Sequence, residues 1–476
     1  MKVKILFLAV VGLLPMLAQA QLTYNTNNGA IIITGDTGSS TEIIIPAAIN
    51  NYPVTSIGEY AFFSRSSLTS ITIPSSVTNI GDYAFYNCAG LTNVPLVNGV
   101  TTIGVYSFFH CTGLKSLTIP DSVASIGYLA FYNCNNLTSA TIPNSVTNID
   151  GGAFSGCASL TNILVAAANP IYSSIQGVLL NKAQTILITF PTGLGGSYDI
   201  PSSVTTIGDA AFNSCPNLTT VRLPQGVTSI GSQTFSRCFN LTDVRIGASV
   251  TSIGGEAFSH CTSLTSMTIP DSVASIAYGT FFGCDSLASV TVGNSVAEIG
   301  NYAFEYCTSL TNLTLGNSIT DIRADAFAFC ASLTSVKIPN SITNIGKYAF
   351  SDCINLTNVT FLGNAPSLGG PGVFAAVAAE AKAYYHYGAS GWGLTYGGLP
   401  TVMLYPPPQV GAGNAGLQTG GFGFAIAGVS SQTIVVEAST NLANWQPVWT
   451  NTLSGNSVNF VDPHWTNYPA RFYRTR

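Results

Sequence analysis

The 476-residue chain is long enough for several ordinary domains, and 46% of its residues are hydrophobic, which is ample for a core. Only 7% of the residues are charged, and the formal net charge of −5 is spread along the chain rather than collected in a tail. The 15 Lys and Arg residues cannot build the basic stripe that phosphate binding needs. The composition therefore excludes nucleic acid as a partner.

Residues 1–20 have the organisation of a secretory signal peptide. Lys2 and Lys4 precede the apolar run 5–14, and the segment ends with the sequence Ala-Gln-Ala, which has small residues at the positions typical of a cleavage site. A signal-anchor helix is the alternative, but the apolar run is short and Pro15 interrupts it. We therefore expect cleavage and a secreted, extracellular or cell-surface protein. No membrane-spanning segment is expected after signal removal, because Ser, Thr, Asn and Gly interrupt every later apolar run.

A repeat of 23 residues organises most of the chain. Its clearest marker is cysteine, which recurs at this step on both sides of one insertion of 35 residues, while Arg65 holds the same position one period before Cys88. The eleven cysteines are Cys88, Cys111, Cys134, Cys157, Cys215, Cys238, Cys261, Cys284, Cys307, Cys330 and Cys353. An isoleucine column from Ile57 to Ile345 and a phenylalanine column from Phe62 to Phe350 have no exception in the twelve units.

Within each unit, the segment of type L-T-S-x-T-I alternates apolar residues with Ser or Thr, which predicts a short strand with its apolar side chains facing inward. Pro or Gly then ends the strand in most units, as at Pro74 and Gly293. The stretch from the recurrent isoleucine through Ala-Phe is expected to turn the chain back. One unit cannot bury these faces alone, so the repeat predicts a solenoid of stacked 23-residue coils with one parallel β-sheet and short irregular or 3-10 return segments.

The repeated pattern C-x-x-L-T-x-I-x-I-P-x-S-V-x-x-I-G-x-x-A-F-x-x, found over residues 54–361, resembles the BspA-type (Treponema-type) leucine-rich repeat surface proteins of bacteria. The resemblance implies a leucine-rich repeat solenoid and a role in attachment to host or matrix proteins and to other cells. This chain departs from the pattern at Asp150, Ala277 and Arg323, which replace the usual glycine. We expect looser turns at these three positions.

Residues outside the repeat also indicate β-structure. GVLLN and TILITF, on either side of 182–184, predict a hairpin in the insertion, and four β-like runs after the proline-rich stretch that begins at Pro406 predict a small all-β C-terminal module. The expected domains are a signal peptide at 1–20, an N-terminal β cap at 21–53, the solenoid at 54–362 with its insertion hairpin near 166–200, a C-terminal cap at 363–405, a Pro/Gly linker at 406–416 and a β-sandwich-like module at 417–476.

Neither the recurrent cysteines, which we call the cysteine ladder, nor the titratable residues form a recognisable catalytic or metal site. Stacked positions lie about 4.8 Å apart with parallel side chains, whereas a disulfide needs converging Cβ atoms about 3.8 Å apart, so we expect buried, reduced thiols. His110 and His260 share one repeat position but lie in distant coils, and carboxylates such as Asp121 occupy turns. We therefore expect no catalytic residue, no metal, no cofactor and no enzymatic activity.

Two groups of outward-facing residues are candidates for ligand binding. On the sheet, Arg222 and Arg245 share one position in neighbouring coils, with Asp243 between their columns, which suggests a site for an acidic group. We call these three residues the sheet cluster. The surrounding Thr and Ser residues form an array that could bind polysaccharide or ice, although exposed strands favour threonine in any case.

The second group lies on the return segments of the first four coils. Its members share two repeat positions, and we call them the aromatic strip. They are Tyr60, Tyr83 and Tyr106 in one position, and Phe63, Tyr86, Phe109 and Tyr132 in the other. Stacked amphipathic rings suit contact with sugar or protein, while packing of the rings against each other is the structural alternative.

These observations favour a non-catalytic binding or adhesion protein, monomeric, that presents a long solenoid surface to an extracellular protein or polysaccharide ligand. Two alternatives remain open. The repeats could form a structural layer of the cell envelope, or the Thr and Ser array could bind polysaccharide or ice. Adhesion follows from the family resemblance and not from a site, because a fold does not determine a function.

Overall fold

The computed structural model describes residues 4–5, 22–411 and 415–476. Most of the expected signal peptide, and residues 412–414 of the expected linker, lie outside these described residues. The chain forms two compact units: the first holds Met1–Thr357 and Pro366–Glu380, and the second holds Asn358–Ala365 and Ala381–Arg476. Among the described residues, no helix is both long and apolar enough to cross a membrane.

The first unit begins with an antiparallel hairpin, Leu22–Asn27 with Ala30–Asp36, joined by an Asn-Gly turn in which both residues have positive φ. Lys4–Ile5 pairs with the outer side of the hairpin, and Ala30–Asp36 pairs in parallel with Tyr52–Ile57. The short strand Ala48–Ile49 also pairs with Tyr52–Ile57. The hairpin therefore provides the first rungs of the stack of coils.

Most coils contribute strands to two runs of parallel strands, where the sequence predicts one sheet, and the coil of Leu91 has only the isolated bridge residue Asn93 on its leucine side. The leucine ladder follows each recurrent leucine. In the first unit its strands are Glu42–Ile44, Ser70–Thr72, Leu117–Thr118, Ser139–Ile142, Asn162–Val165, Gly196–Asp199, Leu218–Arg222, Asp243–Arg245, Ser266–Ile269, Ser289–Val292, Asn312–Thr314 and Ser335–Ile338. Apolar residues of these strands face the core and polar ones face outward, as the alternating burial of Ser266–Ile269 illustrates.

The isoleucine ladder ends on the recurrent isoleucine of each coil, and most of its strands have only two residues. Its strands after Tyr52–Ile57 are Asn79–Ile80, Thr102–Ile103, Ser125–Ile126, Asn148–Ile149, Thr206–Ile207, Ser229–Ile230, Ser252–Ile253, Ser275–Ile276, Glu298–Ile299, Asp321–Ile322, Asn344–Gly346 and Ser367–Gly369. We name each coil by this isoleucine. In most coils the residue after it donates a backbone hydrogen bond to the carbonyl of the isoleucine one coil earlier, and Asp150 and Arg323 keep this bond at 3.0 and 2.9 Å.

The core lies between the ladders and consists of identical residues stacked coil on coil. The recurrent phenylalanines are fully buried, and their ring centroids lie 5.0–5.4 Å apart on each side of the insertion. All eleven cysteines are buried and unpaired. Ten of their thiols donate to a phenylalanine carbonyl one coil earlier, at Sγ···O distances of 3.0–3.4 Å. Each thiol thus satisfies a buried carbonyl as well as filling space.

The return segments are successive β-turns rather than 3-10 helices. In the Ile57 coil, the N–H groups of Ala61, Phe63 and Arg65 donate to the carbonyls three residues earlier, at 3.1–3.3 Å. The same segment donates to the next coil, as from Tyr60 N to Asp82 O at 3.0 Å. Two residues in every return segment have positive φ, three and seven positions after the isoleucine, in the left-handed region that most side chains avoid.

We call these positions the first and second turn columns. Their φ values are 51–69° and 57–71°, respectively. The first turn column is Tyr60, Tyr83, Tyr106, Leu129, Gly152, Ala210, Gln233, Glu256, Gly279, Tyr302, Asp325 and Tyr348. The second is Ser64, Asn87, His110, Asn133, Gly156, Ser214, Arg237, His260, Gly283, Tyr306, Phe329 and Asp352.

The insertion separates the ladders but not the turn columns. Its strands Tyr172–Ile175, Val178–Asn181 and Ile186–Thr189 form an antiparallel meander, and the last of them pairs in parallel with Thr206–Ile207. On the turn side, the Ile149 and Ile207 coils touch directly, since the Ser155 hydroxyl donates to the Ala210 carbonyl at 3.2 Å. The insertion therefore leaves the turn columns in contact, while its Phe190 enters the core and stacks on Phe212 with ring centroids 5.0 Å apart.

The second unit is also built of β-strands. Asn358–Phe361, Lys382–His386 and Leu399–Leu404 are parallel, and Thr395–Tyr396 pairs antiparallel with the last of them. The C-terminal region has two antiparallel sheets over a small core that includes Phe424 and Ile434. Its strands are Gln409–Val410, Gly416–Gln418, Gly421–Ala427, Thr433–Ser439, Gln446–Thr452, Ser457–Asp462 and Phe472–Thr475, with a 3-10 helix at Trp465–Asn467.

Candidate binding site

The sheet cluster is present, but its charges are neutralised locally. Arg222 and Arg245 lie opposite each other in register on neighbouring strands of the leucine ladder. Arg222 pairs with Asp199 of the insertion at 3.3 Å, and Arg245 Nε lies 3.7 Å from an oxygen of Asp243. All four side chains are at least half exposed. Each arginine therefore already has a carboxylate neighbour, in an exposed pair that water screens strongly.

The Thr and Ser array does not form one continuous face. The Thr72 position becomes Pro95, Leu164 and Lys337 in other coils. In the column at Thr69, the hydroxyls donate to backbone carbonyls of the preceding strand, as from Thr69 to Thr41 at 2.9 Å. Much of the threonine content is therefore explained by hydrogen bonding within the ladder.

The aromatic strip is packed face to face. Tyr60, Tyr83 and Tyr106 stack with ring centroids 4.8 and 4.9 Å apart. The four rings of the second position are 4.7–4.9 Å apart with interplanar angles of 5–12°. Their faces therefore contact one another and only the edges are left for solvent, so the strip offers no row of open ring faces to a sugar. Exposure falls from 50% at Tyr60 to 9% at Tyr132.

The strip ends at a cavity of about 520 Å³. On one side the cavity is lined by residues of the Ile103 and Ile126 coils, and on the other by residues of the Ile207 to Ile276 coils. The first group is Tyr106, Phe109, His110, Tyr128, Leu129, Tyr132 and Asn133. The second is Asn213, Gln233, Ser236, Arg237, Glu256, Ser259, His260, Tyr278, Gly279 and Phe282. The volume is in the range of small-molecule sites.

Small residues in two successive coils explain the cavity. The turn columns hold Gly152 and Gly156 in the Ile149 coil, followed by Ala210 and Ser214 in the Ile207 coil. A Cβ at Gly156 would lie 2.0 Å from Asn133 Oδ1, so the missing side chain leaves the space that Asn133 enters. Larger side chains of the flanking coils therefore surround a depression along the return segments.

Hydrogen bonds join side chains around this depression. The Tyr132 hydroxyl lies 3.1 Å from the Ser214 hydroxyl. Gln233 Nε2 donates to Glu256 Oε2 at 2.9 Å, while Asn133 Nδ2 lies 3.1 Å from His110 Nε2. These bonds fix the side chains before any ligand arrives, which lowers the entropic cost of binding.

The cavity combines neutral imidazoles with one unpaired cation. Burial lowers the pKa of His110, and burial with the nearby Arg237 lowers the pKa of His260, which favours the neutral form of both rings. Arg237 itself is exposed. The other seven arginines of the chain each form an ion pair with a carboxylate, whereas Arg237 has none among the described residues. The described residues also contain no group of three His, Cys, Asp or Glu side chains that could hold a metal.

Comparison with known proteins identifies the family. Six copies of the family model for the BspA type leucine rich repeat region match residues 37–174, 196–307 and 275–374. The chain belongs to this family. No curated protein has significant sequence similarity to it.

Several solved structures are similar to this chain, and the first of those below shares its repeat fold. A leucine-rich repeat protein from Eubacterium ventriosum is 27% identical with a TM-score of 0.59, and the match covers 70% of this chain and 93% of that one. A leucine-rich repeat protein from Bacteroides ovatus is also 27% identical, with a TM-score of 0.48 and coverage of 80% and 98%. A leucine rich cell surface protein from Faecalibacterium prausnitzii is 27% identical, with a TM-score of 0.41 and coverage of 72% and 93%.

Part of this cavity in the BspA-type solenoid escapes prediction from the sequence. Tyr106, Phe109 and Tyr132 of the predicted strip line it, but Tyr60 and the sheet cluster do not. His110 and His260, expected in distant coils with no shared site, both line it. The available signal is the glycine-rich stretch 150–156, which removes side chains where neighbouring coils carry large ones.

Proposed function

We propose that this protein is a non-catalytic, secreted or cell-surface binding protein, which holds an extracellular protein or glycan ligand at the cavity where the aromatic strip ends. The cavity is the observation that carries the proposal. It combines a partly open volume of about 520 Å³, side chains held in place by hydrogen bonds and an unpaired arginine, whereas each arginine of the sheet cluster already has a carboxylate neighbour. Export rests on the signal-peptide pattern of residues 1–20, and the protein acts as a monomer in this proposal.

The composition of the cavity supports binding rather than hydrolysis. Glu256 is the one carboxylate among the described residues that line it, whereas glycoside hydrolysis ordinarily requires two. Ser236 and Ser259 also line it, but among the described residues neither hydroxyl is hydrogen-bonded to a histidine, as an activated nucleophile would be. These features favour recognition without chemistry.

The test is a combined array of glycans and extracellular matrix proteins probed with the full-length secreted protein. Tyr278→Ala removes a cavity side chain that is 55% exposed, so the variant should fold normally. Tyr348→Ala, at a 39% exposed tyrosine of the distant Ile345 coil, is the matched control. We expect Tyr278→Ala to weaken binding of the array ligand about tenfold or more, the loss of an interface anchor, and Tyr348→Ala to leave it unchanged. Equal binding by both variants would place the ligand elsewhere, and absence of any ligand would refute the binding function.

A further inference from the structure

Arg237 is the feature of the cavity that points to a ligand class. Its backbone lies in the second turn column, and its side chain is exposed at the cavity. The exposed arginines elsewhere in the chain have a carboxylate within 4.0 Å, including both arginines of the sheet cluster. Of the described residues, Arg237 alone presents a guanidinium with no ion-pair partner, and a planar guanidinium matches a carboxylate in a bidentate geometry.

Hydrogen-bonding groups around Arg237 are arranged by column. The second turn column places His110, Asn133 and His260 on the same row as Arg237, and all of them line the cavity. The first turn column contributes Gln233 and Glu256, which are bonded to each other. The cationic Arg237 therefore lies in the second turn column and the acidic Glu256 in the first. A ligand that has both a carboxylate and hydroxyl groups could face both rows.

A saccharide fits this lining better than a peptide does. Peptide recognition relies on apolar pockets for side-chain anchors, whereas the apolar lining here is limited to Leu129, Phe109 and Phe282, apart from the tyrosine rings. Amide, imidazole, hydroxyl and carboxylate groups supply the donors and acceptors that a polyhydroxylated ligand needs. Glu256 can accept hydrogen bonds from sugar hydroxyls and still keep the hydrogen bond that it accepts from Gln233.

We propose that the cavity binds an acidic saccharide, with Arg237 receiving the carboxylate of a uronic-acid residue. The amides of Asn133 and Gln233 and the carboxylate of Glu256 bind its hydroxyl groups. This assignment rests on the proposed function and specifies its ligand. It leaves the sheet cluster outside the site, because both of its arginines already have carboxylate partners.

The test is titration calorimetry of the full-length protein with a panel of uronic-acid oligosaccharides, namely trimers of galacturonate, of mannuronate and of glucuronate. Each trimer is compared with its methyl-esterified form, which keeps the hydroxyls but removes the charge. We expect at least one acidic trimer to bind, and both esterification and Arg237→Gln to weaken it about tenfold or more, as loss of a charge-assisted pair does. Arg237→Lys should recover part of the affinity. Arg245→Gln, at an exposed arginine of the sheet cluster, should leave it unchanged.

Four outcomes would overturn the assignment. Equal affinity for the acid and its ester would show that the ligand's carboxylate is not recognised. Equal affinity of Arg237→Gln and the unmodified protein for an acidic trimer would show that Arg237 does not bind the carboxylate. If a tripeptide with a free C-terminal carboxylate bound more strongly than any saccharide trimer, the ligand would be a peptide and not a saccharide. Binding of no acidic trimer would refute this ligand class, while any array ligand that is lost in Tyr278→Ala would still support the proposed function.

Discussion

The inward-facing columns and the two turn columns follow the same period, yet they accept very different residues. Inside, phenylalanine and isoleucine recur in all twelve units without exception. In the turn columns the same coils carry tyrosine, glutamine, arginine, histidine or glycine, with φ held in one narrow range. Inner packing sets the distance between coils, and the backbone of the return segments follows it. The identity of the turn residues is therefore free to vary and can carry recognition.

The turn columns themselves divide into two kinds of coil. From the Ile57 to the Ile103 coil, the first turn column carries tyrosines whose rings stack on each other. In the Ile149 and Ile207 coils small residues occupy the columns, and the cavity lies there. A depression can thus be made in a solenoid without disturbing its core, by removing side chains from two successive outer positions.

The largest contrast is expected between an inner and an outer aromatic residue. Phe235→Ala should destabilise by about 3–5 kcal/mol, because Phe235 is fully buried and stacks on Phe212 and Phe258 at 5.0 and 5.2 Å. Tyr83→Ala should cost about 1–2 kcal/mol, since it loses ring stacking but little enclosed volume. Urea denaturation of the two variants checks the contrast, and equal losses would mean that the strip belongs to the core.

The same contrast explains what the sequence could predict. The inner columns are visible because packing demands one residue type at each position, and Phe235 or Ile230 identifies its coil at once. The isoleucine ladder was missed because most of its strands have only two residues. The left-handed turns were missed because a positive φ at Tyr60 or His110 depends on the neighbouring coils rather than on the residue's own preference.

The cavity was missed for a related reason. It depends on direct contact between the Ile149 and Ile207 coils, although Cys157 and Cys215 are 58 positions apart in the sequence. Nothing in the sequence indicates that the insertion leaves the turn columns of these two coils in contact. Side chains such as His110 and His260, which are 150 positions apart in the sequence, consequently share one cavity.

A second prediction concerns the one inner position that carries a charge. Arg65 replaces cysteine in the first coil, and its guanidinium lies 3.0 Å from Asp36, whose side chain is 1% exposed. Arg65→Ala would leave that carboxylate buried without its cationic partner, at a cost of about 3 kcal/mol. Because burial raises the pKa of Asp36, the loss should be smaller at pH 5 than at pH 8, where the carboxylate stays charged. Chemical denaturation at both pH values measures this, with Arg245→Ala as an exposed control.

A third prediction separates space filling from hydrogen bonding in the cysteine ladder. Cys261→Ala should cost about 1–2 kcal/mol, because it loses packing and the bond to the Phe235 carbonyl at 3.1 Å. The sequence suggests that Ser would be worse, since its hydroxyl could lack a partner. In the structure the Phe235 carbonyl is within reach, so Cys261→Ser should be no less stable than Cys261→Ala. Thermal melts of both variants decide between these expectations.

A fourth prediction uses pH to probe an outer position that is nonetheless buried. Burial, reinforced by the neighbouring Asp325, raises the pKa of Glu305 to about 7. Between the ordinary pKa of glutamate and about 7, the Glu305 carboxyl therefore keeps its proton in the folded state and loses it in the unfolded state. Stability should fall as the pH rises from about 5 to 7, by on the order of 1 kcal/mol. Glu305→Gln should remove this slope, while Glu59→Gln, at an exposed glutamate, should keep it.

The smallest expected effect tests whether the turn columns store backbone strain. Ser64 and Ser66 are both exposed and only two residues apart, but Ser64 has a φ of 57° while Ser66 is not in the left-handed region. Glycine adopts a positive φ without steric cost, so Ser64→Gly relieves strain that offsets the added flexibility of the unfolded chain. Ser66→Gly gains no such relief and should destabilise by about 0.5–1 kcal/mol, whereas Ser64→Gly should be neutral or more stable by a similar amount. Denaturation curves of the two variants, measured under the same conditions, give the sign of each change in the free energy of unfolding. If both substitutions destabilised equally, the stacked coils would impose the left-handed conformation at no cost to serine, and residue choice in the turn columns would be freer than proposed.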